Sequence, residues 1–88
     1  MDQSREERLR EAIRLGREAE CSRECLLRLL ALRRSSLVHE LEDGELTADT
    51  TMTVVGGLKE IHFLERLIET VVYSGKLAEE ELQNALDT

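Results

Sequence analysis

Hydrophobic positions fall at spacings of three and four along most of this chain, the signature of helices that bury one face. The stretch 4–42 carries Leu26, Leu29, Leu30, Leu37 and Leu41 as one seam, with Leu27, Ala31 and Leu32 on adjacent faces. An apolar arc that wide contacts more than one neighbour. Earlier in the same stretch, Ala12, Gly16 and Ala19 form a stripe of small residues. Such a stripe lets another backbone come close, so a tight helix crossing is expected there.

The stretch 48–74 is the second predicted helix, where Val54, Gly57, Ile61, Leu64, Ile68 and Val71 make a heptad seam flanked by Phe63 and Leu67. Its start is contested. Thr50 to Val55 have strand propensity, and Gly56 and Gly57 each weaken a helix by about 1 kcal/mol. With no second strand to pair with, the segment reads as helix, capped by Thr47 or Asp49. A short acidic helix is expected over 78–87, with Leu82 and Leu86 on one side.

Two similar joints separate these elements, Asp43-Gly44-Glu45-Leu46-Thr47 and Ser74-Gly75-Lys76-Leu77-Ala78. Each predicts a helix closed by a left-handed glycine. Ser4 and Glu7 have capping-box spacing for the first helix, and Arg33-Arg34-Ser35-Ser36 is the place expected to kink or fray. Folding an antiparallel hairpin at Gly44 brings residue i near residue 90 − i. Leu26 then lies by Leu64, Leu30 by Ile61 or Glu60, Ala19 by Val71, and Gly57 opposite Arg33. At about 1.5 Å per residue the first helix is roughly 58 Å long and outruns the second. Leu9, Ala12, Ile13 and Leu15 overhang.

The expected fold is therefore all-α: one domain made of a long antiparallel helical hairpin and a short C-terminal helix, completed as a homodimeric four-helix bundle. Leu9, Ala12, Ile13, Leu15, Gly16, Ala19, Leu26 and Leu30 are the expected partner or oligomer surface. Ile61, Leu64, Ile68 and Val71 are the expected core seam.

Composition narrows the function classes. At 88 residues a single core is marginal, so association is a common remedy. Proline and tryptophan are absent and aromatic residues make up 2%, poor material for a β-sandwich or for stacking nucleobases. The net charge of -7 is unevenly placed. Residues 1–34 hold nine arginines against seven acids, whereas residues 35–88 hold three basic residues against twelve acids. An acidic body repels phosphate and anionic lipid, which disfavours nucleic acid and membrane as partners. The polar start lacks a secretory apolar core, and the run Leu26 to Leu32 is interrupted by arginine and too short for a bilayer. The cytoplasm is the expected compartment, with Cys21 and Cys25 as free thiols.

Candidate chemistry is sparse. Cys21, Cys25, His39 and His62 are ligand types zinc prefers, but their spacing fits no finger pattern, so the thiols read as small interface packers and no metal or cofactor is expected. Gly44 as the turn glycine of a calcium loop would put His39, Leu41 and Thr50 at ligand positions that need hard oxygen donors, which excludes that reading. His39-Glu40-Leu41 followed by Leu46-Thr47 resembles the phospho-accepting box of sensor histidine kinases, over about ten residues. The match has an extra residue before Leu46 and a glycine where that family has proline. The resemblance implies a phosphoryl-accepting His39 on a dimeric hairpin.

No nucleophile–base pair, phosphate loop or carboxylate dyad points to an enzyme. The expected function is a non-enzymatic interaction protein, a small regulator, adaptor or inhibitor that buries apolar helix faces on a partner protein. A DNA-binding regulator using the Arg5–Arg34 face, and a histidine phosphotransfer protein, are the competing classes.

Overall fold

The computed structural model describes residues 2–87. Two helices make up the described fold, α1 (Gln3–Asp43) and α2 (Ala48–Asp87), joined by a short turn into a hairpin. No strand forms among the described residues, and 50–57 are helical.

Local chemistry explains the ends. Asp2, rather than Ser4, caps α1: its carboxylate accepts the Ser4 amide at 3.2 Å, and its carbonyl accepts the Glu6 amide at 3.0 Å. An aspartate outside the first turn also satisfies the positive end of the helix dipole. Thr47 caps α2. Its hydroxyl oxygen accepts the Thr50 amide at 3.0 Å, and its carbonyl accepts the Thr51 amide at 3.0 Å. That cap settles the contested β-branched run in favour of helix.

The left-handed glycines do not occur, since no described glycine has positive φ. The Gly44 amide instead donates to the Glu40 carbonyl at 3.0 Å, an ordinary helical bond that carries α1 into the turn. The second joint is not a joint at all. α2 runs unbroken through Ser74–Ala78, so among the described residues there is no third helix and no overhang of Leu9, Ala12, Ile13 and Leu15. Gly75 has a packing role, described below, that outweighs its poor helix propensity. α1 also runs unbroken through Arg33–Ser36, so that turn does not fray; Arg34 there pairs with Glu65, and Leu37 is 1% exposed.

Packing divides into two units, Glu24–Arg66 around the turn and the remaining described residues up to Arg23 and from Leu67. In the turn unit Leu37, Val54 and Ile61 form the core, with Leu30, Leu41 and Leu58 packed against it. Leu30 therefore packs against the core that contains Ile61, one of the two residues the hairpin register sets beside it. Gly57, however, lies under Leu37 rather than Arg33: a Cβ there would come 2.8 Å from the Leu37 Cδ1. In the other unit Ile13, Gly16, Val72, Gly75 and Ala78 are buried. No helix among the described residues is long and apolar enough to cross a membrane.

Candidate functional site

In the terminal unit, the small-residue stripe meets α2 of the same chain. A Cβ on Gly16 would lie 2.8 Å from the Gly75 Cα and 3.2 Å from the Val71 carbonyl oxygen. A Cβ on Gly75 would lie 2.8 Å from the Gly16 Cα and 3.1 Å from the Ala12 carbonyl oxygen. The tight crossing expected of Ala12, Gly16 and Ala19 is present, but the approaching backbone is the chain's own. Of the expected partner surface, Ile13 and Gly16 are buried, while Leu9, Ala12, Ala19 and Leu30 are half-buried within the hairpin. Only Leu15 and Leu26 stay exposed. Of the expected core seam, Ile61 is buried and Leu64, Ile68 and Val71 are half-buried.

Arginines of α1 reach glutamates of α2. Arg17 Nε lies 2.9 Å from Glu79 Oε1 and Arg23 Nη1 lies 3.2 Å from Glu69 Oε2 in the terminal unit, where Arg5 also pairs with Glu81. Arg34 pairs with Glu65 in the turn unit. The uneven charge along the sequence thus becomes complementarity between helices. Within α1, Arg10 meets Glu6 at 2.8 Å and Arg14 meets Glu18 at 2.7 Å as well as Glu11. Those bonds from Arg14 hold the Glu11 carboxyl below its ordinary value and raise the Arg14 guanidinium. A depression of about 400 Å³ lined by Arg10, Ile13, Arg14, Arg17, Glu18 and Leu82 looks basic in composition. Each of its arginines already holds a carboxylate, so it offers an anion little net charge.

The side chains with metal-ligand chemistry do not assemble. Among the described residues no group of three or more His, Cys, Asp or Glu could hold a metal ion. Cys21 and Cys25 are exposed free thiols, so they do not pack between α1 and α2. His39 stands in the last turn of α1 with its Nδ1 3.5 Å from Asp43 Oδ2 and its side chain 71% exposed.

Large apolar side chains remain uncovered in each unit. Leu26, Leu29, Leu32 and Phe63 are exposed in the turn unit, and Leu15, Leu67, Tyr73 and Leu77 in the terminal unit. Assigning Leu26 and Leu29 to the seam of α1 misplaces it, since the half-buried positions there are Arg23, Leu27, Leu30, Arg34 and Leu41, with Leu37 buried. Their spacing of four and three extends the stripe of Leu9 and Gly16. Arginine at two of these positions hides the pattern in the sequence. No protein family, curated protein or solved structure matches this chain.

Proposed function

We propose that this protein is a non-enzymatic interaction module, a small regulator, adaptor or inhibitor that binds another protein through apolar helix surface. The observation that carries the reading is the apolar surface left over once the hairpin is complete: Leu29, Leu32 and Phe63 are 56%, 64% and 58% exposed although every polar group nearby is solvated or paired. Large apolar side chains left exposed in this way are typical of association sites. Arginines tied up in ion pairs support a partner other than nucleic acid. The test is capture by immobilised protein from an extract of the cells that make it. A partner retained by the wild type and lost with Leu29→Glu supports the reading; identical retention by both, or by neither, counts against it.

A second reading, phosphoryl acceptance, draws support from His39. The Asp43 carboxylate beside Nδ1 can orient the ring and leave Nε2 open to a donor. Label from a phosphoryl donor that enters wild type but not His39→Gln would favour it over the interaction module. No label in the wild type removes it.

A further inference from the structure

We infer that the outer face of α2 in the turn unit, built on Met52, Gly56, Lys59, Phe63 and Arg66, docks an acidic amphipathic helix of a partner protein. The inference rests on the proposed interaction function and names the chemistry of the partner.

Position comes first. At about 100° per residue, these five residues point about 130° to 170° away from the mean direction of Val54 and Ile61, which are buried with Leu37 of α1. All five are exposed, Met52 to 73% and Phe63 to 58%. Nothing lies within 4 Å of a Cβ built on Gly56, so the backbone there is open to close approach from outside. Its neighbour Gly57 differs, because Leu37 fills the space its side chain would take.

Charge then selects the occupant. Most arginines of α1 hold a carboxylate of this chain, as Arg34 holds Glu65 and Arg28 holds Glu24 in the turn unit. Lys59 and Arg66 hold none among the described residues. Seven residues apart, they share one row on the helix with Met52, and Phe63 and Gly56 form the adjoining row. Asp49 and Glu60 border the far side of Phe63, about 100° around the helix from the cations. A helix that lays apolar side chains on Met52 and Phe63, and carboxylates along Lys59 and Arg66, matches both properties. Two cations neutralise too few phosphates for nucleic acid. Glu40, Glu42, Asp43 and Glu45 crowd the turn end of the same unit, which opposes a broad anionic bilayer more than a slim helix.

The experiment titrates the full chain with a synthetic amphipathic helix that carries leucines at spacings of three and four beside a row of glutamates. A control peptide has glutamine at every glutamate. Amide resonances of Met52, Gly56, Lys59, Phe63 and Arg66 should shift with the acidic peptide. It should bind about 2- to 30-fold more tightly than the control, the range for two exposed ion pairs, and rising salt should erase the difference. Lys59→Gln combined with Arg66→Gln should lower its affinity to that of the control. Gly56→Leu should weaken both peptides while the helical circular dichroism persists, since the fold leaves that space open. Equal affinity for the two peptides, resonance shifts elsewhere on the chain, or undiminished binding by the double or the Gly56 variant overturns the inference. So does preference for phosphatidylserine–phosphatidylcholine vesicles, or a concentration-dependent shift of the same resonances without peptide, which assigns the face to a second copy. No binding of the acidic peptide also overturns it, yet leaves the capture experiment, which reads Leu29, able to support the broader interaction function.

Discussion

Gly16 and Gly75 meet backbone to backbone: a Cβ on either residue would fall 2.8 Å from the Cα of the other. Two helices can approach this closely only where neither carries a side chain, and backbone atoms cannot move aside as a rotamer can. The pair explains why α2 tolerates a mid-helix glycine at a propensity loss of about 1 kcal/mol. It also explains why the residues around Ser74 read as a joint from sequence yet form uninterrupted helix.

Alanine at either position should therefore destabilise the hairpin, by about 1–3 kcal/mol of overpacking less what the better helix former returns. Gly56 provides the contrast, because nothing lies within 4 Å of a Cβ built there. Gly56→Ala should stabilise the helix by up to ~1 kcal/mol. Urea melts of Gly16→Ala, Gly75→Ala and Gly56→Ala check the sign, and a uniform stabilisation would refute the close crossing.

Core and rim should separate in the turn unit. Leu37 is 1% exposed and should lose about 2–5 kcal/mol on replacement by alanine. Leu64 is only half-buried, so Leu64→Ala should lose less, and the order of the two denaturation midpoints is the observable.

Caps offer a local test. Thr47→Ala removes the acceptor for the Thr50 amide and should lower stability by about 1 kcal/mol. Asp2→Ala should fray the start of α1, whereas Ser4→Ala should leave it intact, because the Ser4 amide donates to Asp2. Amide hydrogen exchange in the first turn distinguishes the two.

Glu11 gives a pH signature. The hydrogen bond from Arg14 depresses its folded-state pKa, so its contribution is present above the ordinary glutamate value and is lost as pH falls through the depressed one. Carboxyl resonances followed by NMR should place the Glu11 midpoint below the ordinary glutamate value. Arg14→Gln should return it to that value.

Much of the fold was legible in the residues. Three-four periodicity names both helices, and the seam from Val54 to Val71 and the packing of Leu30 against the core that contains Ile61 follow from spacing and one turn. Period alone could not assign the leucines of α1. Leu26, Leu27, Leu29 and Leu30 cover a wide arc, and the buried side is chosen by what lies across from it.

What the sequence determined by itself was helical content, the turn after Asp43, and the uneven charge of the two halves, because those depend on propensity, periodicity and composition. Tertiary structure alone decided that Gly75 packs against Gly16 instead of ending a helix, and that the expected interface at Ile13 and Gly16 closes within the chain. It also decided that Leu29 and Leu32 face outward. The reason is physical: a glycine's role depends on whether another backbone fills the space its missing side chain leaves, and that backbone lies some sixty residues away along the chain.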